Sequence, residues 1–432
     1  MTGYAEVLEQ EDPRIARIFD VEAETHHSGS IVIDDPFPRM QELMAQAPVH
    51  KGALGSLLGY GPEAGFNFHI EGQETYTALS FKAVSRTLIE NDVFSSEVYH
   101  RFEVNEYLFK NGILHLSGAE HRRMRGPIQP FFSPAEAQTW WNRKAIEETV
   151  DILMSKIERK QSADIFLELL ARMPVHVVTA SFGIDPDEVV SFRMALLGVD
   201  DDGVTSERDR GNGEQRSRAI LQRYITARRK DPQDDIISKI VHADVPTAEG
   251  GTRRFTDDEV IENCRLIVLA GGGTTWRQGG ITLFALLNNP EQFEALKADR
   301  SLLPNVILES ARWHPTDLIF PRVATKDVEL EGVEIPKGAL VHMCLGAANR
   351  DPSRWDNPEK FDIFRPVQRS LAFGGGPHSC LGQHVARQEI VVAFNAIMDR
   401  LPNLRWDSSK PPARLTGGLF ARGPSALPVT WG

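Results

Sequence analysis

A cysteine near the C-terminal end of the chain lies in the segment whose residue types point most directly to chemistry. Residues Phe373 to Gly382 read FGGGPHSCLG, so three glycines and a proline precede Cys380. Glycines let the backbone turn tightly and approach something flat and bulky. The helical pattern that follows places the cysteine where helix N–H groups stabilise a thiolate. Such a thiolate suits an iron ligand; the alternative is a buried cysteine after a glycine-rich turn.

A second unusual segment interrupts the longest helical pattern of the chain. Gly271, Gly272 and Gly273 stand in the middle of that pattern, and each costs about 1 kcal/mol relative to alanine in a helix interior. That cost makes sense where something lies against the backbone or where the helix must open. Thr274 follows directly and can offer a hydroxyl to an ordered water. The alternative is a loop or a break in the helix.

These segments resemble motifs of the cytochrome P450 family in its soluble bacterial form. Residues Phe373 to Gly382 match the haem-binding signature FGxGxHxCxG at every fixed position. Four further elements resemble the family's in order and spacing: His121–Arg125 (HxRxR), Ala270–Thr275 (AGx(D/E)TT), Glu309–Arg312 (ExxR), and Asn349–Pro352 with Phe361–Asp362 and Phe364–Pro366. The resemblance implies a P450 fold, mainly α with small β-sheets (α+β), with haem between a long central helix and the cysteine loop.

The resemblance implies haem b, iron protoporphyrin IX, with Cys380 as the axial thiolate ligand of the metal. His121 and Arg125 are four residues apart, so on a helix both point the same way, and two cations suit the two carboxylates of a haem edge. Arg322 and His378 complete that clamp by resemblance; a solvated basic face is the alternative. The other haem contacts implied are Phe373, Gly374, Gly382, Ala270 and Gly271.

Glu309 and Arg312 are three residues apart and share a helix face, so they can pair. The resemblance adds Arg365 and implies a buried network that fixes the cysteine loop. Taken alone, the pair is an ordinary surface salt bridge worth under ~1 kcal/mol.

The resemblance makes Thr274 the residue that helps to protonate bound dioxygen, with Gly273 and Thr275 beside it. The chain departs from the family here, because the acid that usually precedes the threonine is replaced by Gly273. This departure puts the usual proton route in doubt. Water in the space left by the glycines, or Gln278 one turn later, could replace the acid. Trp276 and Arg277 are unusual neighbours to which we assign no role.

The residues that would line a substrate pocket come from separated stretches. They are mostly apolar, which predicts an apolar small-molecule substrate, although each residue could equally be plain core. The predicted pocket residues are Phe102, Tyr107, Phe109, Leu266, Leu318, Ile319, Phe320 and Leu419.

Helical periodicity dominates the elements that must position these residues. Helices are predicted over Ala145–Ile157, Ala386–Leu401 and Asp257–Leu287, the last starting at a Thr256/Glu259 capping box and ended by Pro290. Strands are predicted over Phe66–His69 and Val328–Ile335, with a turn at Gly332. Surface loops are predicted over Val199–Gly213 and Ala243–Gly251.

Length alone suggests about three domains at ~150 residues each, whereas the resemblance implies a single P450 domain over residues 1–432, with a helix-rich core and a smaller β-rich part near the N-terminus. The net charge of −12 argues against nucleic acid or an anionic membrane as a partner. No secretory signal and no apolar run of the ~20 residues that span a bilayer is visible, which predicts a cytoplasmic monomer. The cysteines Cys264, Cys344 and Cys380 form no CxxC pattern or zinc spacing.

The resulting prediction is a haem-thiolate monooxygenase that receives electrons from a separate soluble ferredoxin and reductase, since no flavin or nicotinamide fingerprint is present. One alternative is a P450-fold peroxygenase or rearrangement enzyme, because Gly273 replaces the acid. Another is a non-catalytic haem- or ligand-binding module. A helical protein with a reactive cysteine and no haem would require five ordered motifs to be coincidental.

Overall fold

The computed structural model describes residues 8, 14, 18–61, 64, 68–101, 112–198 and 207–432, and for residues 101 and 207–211 the backbone alone. The α-helices, in chain order, are α1 Val21–His27, α2 Phe37–Gln46, α3 Leu54–Leu57, α4 Phe81–Ile89, α5 Gly118–Arg125, α6 Pro134–Glu136, α7 Glu147–Ile157, α8 Arg172–Ser181, α9 Val189–Leu197, α10 Glu207–Lys230, α11 Ile236–Val241, α12 Asp257–Asn288, α13 Pro290–Ala298, α14 Leu303–Trp313, α15 Leu345–Ala348 and α16 Gln383–Arg400. Wider π-type turns cover Ala137–Ile146 and Phe166–Ala171, ahead of α7 and α8.

The strands are β1 Val49–Lys51, β2 Thr75–Ala78, β3 Phe94–Ser95, β4 Ser162–Asp164, β5 Asp244–Pro246, β6 Thr252–Arg254, β7 Ile319–Ala324, β8 Val328–Leu330, β9 Val333–Ile335, β10 Leu340–Cys344, β11 Arg405–Trp406, β12 Leu415–Thr416, β13 Gly423–Pro424 and β14 Pro428–Thr430. The largest sheet has the order β1-β2-β10-β7-β3. Only the β10–β2 pair in it is parallel.

Helix α12 is the central element, with 32 residues. The predicted capping box is confirmed: the Thr256 hydroxyl accepts from the Glu259 N–H at 3.2 Å, and a Glu259 carboxylate oxygen accepts from the Thr256 N–H at 2.9 Å. The helix packs against α8, α10, α11 and α14, so most of its length is buried. It ends at Asn288, and Pro290 begins α13, where a missing N–H costs nothing.

The predicted helices over Ala145–Ile157 and Ala386–Leu401 are confirmed to within a few residues by α7 with its π-type lead-in and by α16. The predicted Val328–Ile335 hairpin is confirmed by β8 and β9, with Gly332 in the left-handed region at φ +86°. Glycine adopts this φ at no steric cost, and Glu331 before it also has a positive φ, +50°.

Three local predictions are wrong in the described residues. Residues 68 and 69 are irregular backbone, and the nearby strand is β2. All four residues of β2 are buried, so it lacks the alternation of buried and exposed positions on which the prediction of a half-buried strand depends. The Ala243–Gly251 loop contains β5, paired with β6. Helix α10 already covers residues 207–213 of the loop predicted over Val199–Gly213. Gly213 lets α10 approach α9, because a Cβ there would collide with the Ala195 carbonyl.

The buried apolar residues form one large cluster around α12 and two smaller clusters around the main sheet. That sheet takes β7 and β10 from the second half of the chain, so the β-rich part joins segments remote in sequence. One domain over residues 1–432 stays a prediction. Among the described helices, none combines the length and apolarity needed to cross a bilayer.

Candidate active site

The cysteine loop is a tight turn that leads into α16. The Cys380 N–H donates to the Phe373 carbonyl at 2.8 Å, which closes the loop at its two ends. Gly374 and Gly376 have φ of +68° and +62°, and a Cβ at Gly376 would collide with the Leu88 carbonyl. The predicted tight turn is confirmed by these two φ values. Gly376 also allows the loop to contact α4, which the sequence did not indicate.

Cys380 lies three residues before α16, and its side chain is exposed. Burial nonetheless raises the pKa of the thiol, opposed by the N–H groups of Gly382 and Gln383 and by the Arg125 guanidinium. The thiol is therefore accessible to a ligand, and a metal ion bound to it would stabilise the thiolate.

The buried helix α12 has one open stripe. Leu266 and Thr274 are half-buried and Ala270 between them is exposed, whereas Ile267, Val268 and Gly272 are buried. These three open positions are spaced four residues apart, so they follow a single face of the helix. Gly271, next to Ala270, is also half-buried. Thus the residues predicted to face a haem are the ones that leave room beside α12.

The predicted clamp residues come together from three segments of the chain, and Ser96 joins them from a fourth. The His121 and His378 rings have centroids 4.0 Å apart, and Ser96 Oγ lies 2.9 Å from His378 Nε2. Arg125 donates to the Ser379 carbonyl at 2.5 Å. Arg322 is buried on β7 and donates to the Pro321 carbonyl at 2.8 Å. Ser96 is a site residue that no motif in the sequence had indicated.

The electrostatics of the clamp indicate a place for an anion. Burial, Arg125, Arg122 and Arg322 lower the pKa of His121 to about 4. Burial, Arg322, His121 and Arg125 lower the pKa of His378 to about 2. Neither ring nitrogen of His121 has a hydrogen-bond partner among the described residues. Buried donors of this kind are normally satisfied, so the cluster fits a ligand that carries two carboxylates.

The Glu309 network is buried, unlike the surface salt bridge of the alternative reading. Arg312 pairs with both Glu309 oxygens at 2.7 and 2.8 Å, and Arg365 approaches the same carboxylate at 3.2 Å. Arg312 also donates to the carbonyls of Asn349 and Pro358, at 3.1 and 2.8 Å. The three charged residues thereby join α14 to the segment that precedes the cysteine loop.

The glycine stretch of α12 is continuous helix, so the alternative of a loop or break is wrong. The Thr274 hydroxyl donates to the Ala270 carbonyl at 2.9 Å. Thr275 is buried, and the amide of Gln278 donates to Ser310 Oγ at 3.3 Å. Gln278 therefore faces α14, and this contact leaves it poorly placed to replace the acid missing at Gly273.

The predicted pocket residues divide into three groups. Leu266 and Phe320 are half-buried, while Leu318, Ile319 and Leu419 are completely buried in one apolar cluster. Phe102, Tyr107 and Phe109 lie outside the described residues.

Asp317 is a half-buried neighbour of this group that sequence reasoning missed, since one acid in a loop carries no signal of its own. Burial raises its pKa to about 6, opposed by the Ala421 N–H and by Arg277.

Comparison with known proteins agrees with this geometry. The family model for cytochrome P450 matches residues 212–426. Cytochrome P450 133B2 of Xylella fastidiosa is 32% identical over 303 residues, which are 69% of this chain and 74% of that protein. The mycinamicin IV hydroxylase/epoxidase of Micromonospora griseorubida is 30% identical over 329 residues, 75% of this chain and 81% of that protein.

A solved structure is similar over nearly the whole chain. CYP109E1 of Bacillus megaterium in complex with corticosterone has a TM-score of 0.76 and 25% sequence identity, and covers 92% of this chain and 98% of that chain.

Proposed function

Since the chain belongs to the cytochrome P450 family and is a monooxygenase, we propose that it inserts one atom of dioxygen into an apolar small molecule at the Cys380 site. The family implies a haem cofactor. The observation that carries the proposal is the cluster of His121, Arg125, Arg322 and His378 beside the Cys380 thiol. His121 and Arg322 are buried, and the ring nitrogens of His121 have no hydrogen-bond partner among the described residues. The residues present fit haem b, whose iron supplies the activation of dioxygen when bound.

Each residue around the space has a distinct part in holding the cofactor. Cys380 supplies the thiolate to the metal, and the loop closed by Phe373, Gly374 and Gly382 supports it. The clamp of His121, Arg125, Arg322 and His378 holds the two carboxylates through charge-assisted hydrogen bonds. Ala270 and Gly271 would leave room for the group beside α12.

Thr274 holds and passes on a proton at its Oγ1. This hydroxyl now donates to the Ala270 carbonyl, a bond that it can exchange for one to water. Gly273 adds no acid, and Thr275 is buried beside it. The proton must therefore reach Thr274 from a group elsewhere in the protein.

The substrate is proposed to be apolar and larger than a simple metabolite. Leu266 and Phe320 are half-buried apolar side chains, and Leu318, Ile319 and Leu419 are buried. One relative is named for its action on mycinamicin IV, and one similar structure holds corticosterone. A soluble ferredoxin and reductase are proposed as the electron source. Residence in the cytoplasm and a monomeric state stay predictions.

Oxygen labelling tests the reaction. Purified enzyme is supplied with a surrogate ferredoxin, its reductase, NADPH and ¹⁸O₂, with substrates chosen from a library by their shift of the haem spectrum. We expect one ¹⁸O atom in the product and no product without reductase.

Gly273 favours one competing reaction, direct use of peroxide. Label that enters from H₂¹⁸O₂ at a rate equal to or above that of the reductase system would support the peroxygenase and contradict the monooxygenase. Haem and substrate binding without turnover by either route would support a binding module.

A further inference from the structure

Arg277, which sequence reasoning left without a role, occupies the place of the missing acid. It lies one turn after Gly273 on α12, and its guanidinium donates to the Gly273 carbonyl. A Cβ built on Gly273 would lie 3.9 Å from Arg277 Nη1. The side chain of Arg277 is 2% exposed and stacks over Trp276, with 4.4 Å from its guanidinium carbon to the ring centroid. A buried cation therefore marks the position where other P450 chains carry a carboxylate.

Glu24 of α1 pairs with Arg277 through Oε2. The pair joins residues 253 positions apart in sequence. The Glu24 side chain is 22% exposed, against 2% for Arg277, so this carboxylate has access to water that the guanidinium lacks. The N-terminal helix thus brings an acid to the glycine stretch of α12.

A second arginine, Arg193, contacts the glycine stretch of α12. Arg193 of α9 donates to the Gly272 carbonyl at 2.9 Å, and its guanidinium carbon lies 4.6 Å from the Phe19 ring centroid. Burial lowers the pKa of Arg193 to about 10, opposed by Glu24. The carboxylate of Glu24 therefore faces two buried guanidinium groups, Arg277 and Arg193. Asp317, two residues before β7, interacts electrostatically with Arg277 and Glu24.

We propose that Glu24 is the carboxylate that supplies protons to Thr274, and that Arg277 positions it in place of an acid at residue 273. Glu24 takes a proton from solvent and passes it through water to the Thr274 hydroxyl, which passes on its own proton. Glu24 and Thr274 return to their starting states, so the net change is the inward movement of one proton. Arg277 stays charged throughout. The inference rests on the proposed monooxygenase function.

Three variants test the relay: Glu24→Gln, Gly273→Asp and the double variant. We expect Glu24→Gln to lower coupled turnover about a hundredfold, the low end of what a positioned proton donor contributes, and to raise the share of electrons lost as hydrogen peroxide. In the double variant, Asp at 273 can reach Arg277 and should restore turnover to within about threefold of wild type.

The control is Glu22→Gln. It removes a carboxylate of α1 that binds Arg414 and Thr416 instead of Arg277, and it should leave turnover unchanged.

Rescue of turnover is compared with the amount of folded protein, because an Asp at 273 would also restore a counter-charge to Arg277. A relay predicts that Glu24→Gln loses coupled turnover and releases more peroxide at temperatures where the protein is fully folded and holds its haem. A loss of turnover that only follows the loss of folded protein, or no rescue in the double variant, would overturn the proposal. The pH profile gives a second distinction. Wild type and the double variant should share a carboxylate limb in kcat, and Glu24→Gln should lack it; an unchanged limb in Glu24→Gln would also overturn the proposal.

A measurement without turnover tests the pairing itself. Thermal unfolding of the four proteins forms a double-mutant cycle. Glu24→Gln leaves a buried guanidinium without its counter-charge, and Gly273→Asp should raise the unfolding temperature in that background by about 2 °C while adding little to wild type. Equal shifts in both backgrounds would overturn the pairing. Loss of haem from wild type would contradict the proposed function and leave this cycle interpretable.

Discussion

Two histidines and two arginines lie together beside the cysteine loop. Burial lowers the pKa of His121 and of His378, and the positive charges of Arg125 and Arg322 lower both pKa values further. A buried cluster of one sign is costly unless a counter-charge arrives. The individual residues could be predicted from the motifs. Ser96, which orients His378, could not, because its contact spans 282 positions.

The pH dependence of stability follows from these histidines. The pKa of His121 in the folded protein is lowered to about 4, against about 6.5 in an unfolded chain. Between these values the unfolded state binds more protons, so folding becomes weaker as the pH falls through that window. We expect His121→Gln to make the fall in unfolding temperature from pH 7 to pH 4.5 shallower, measured on haem-free protein by calorimetry.

The control for this prediction is His242→Gln, which changes an exposed histidine. It should leave the slope as in wild type. Equal slopes for wild type and His121→Gln would show that His121 binds protons alike in the folded and unfolded states, contrary to the arrangement described.

At the scale of elements, α14 and the segment before the cysteine loop are held together by charge. Glu309 accepts from Arg312, Arg365 and the Asp362 N–H, the last at 3.0 Å. Arg365 in turn donates to the Asp356 carbonyl at 2.6 Å. The network thereby satisfies carbonyl groups of a long irregular segment that has no helix or strand to satisfy them.

Glu309→Gln should destabilise the fold strongly, since it leaves two arginines with uncompensated charge. We expect a loss of about 3–5 kcal/mol, measured by chemical unfolding, together with faster loss of haem. Glu294→Gln is the matched control, because Glu294 pairs with Lys297 on an exposed surface of α13; its cost should stay below about 1 kcal/mol. Equal effects for both variants would contradict a structural role for the network.

The elements show where sequence reasoning succeeds. Helix α12 could be predicted because its start depends on a local capping box, and the β8–β9 hairpin because Gly332 marks its turn. Strand β2 could not, because a strand buried on both faces shows no alternation. The start of α10 could not be predicted either, because Gly213 is typical of a loop. The glycine is explained by the close contact with α9, which only the structure shows.

At the scale of the whole molecule, the segment that holds Ile33 and the C-terminal segment that holds Arg422 lie together beside α12. Arg422 donates to the carbonyls of Ile33 and Gly417, both at 2.8 Å, and the Leu318 N–H donates to the Leu419 carbonyl at 2.9 Å. This closure places α1, and with it Glu24, against the glycine stretch. Neither contact could be predicted from the sequence, because each depends on how remote segments pack.

The most direct test of the central claim is the absorption spectrum of the purified protein, reduced and exposed to carbon monoxide. With Cys380 bound to haem iron as a thiolate, the Soret band should be strongly shifted to the red, because the thiolate donates electron density to the metal. The matched variant Cys380→Ser should lose that shift. An unshifted Soret band in intact wild-type protein, or no Soret band after expression with ample haem, would contradict the account.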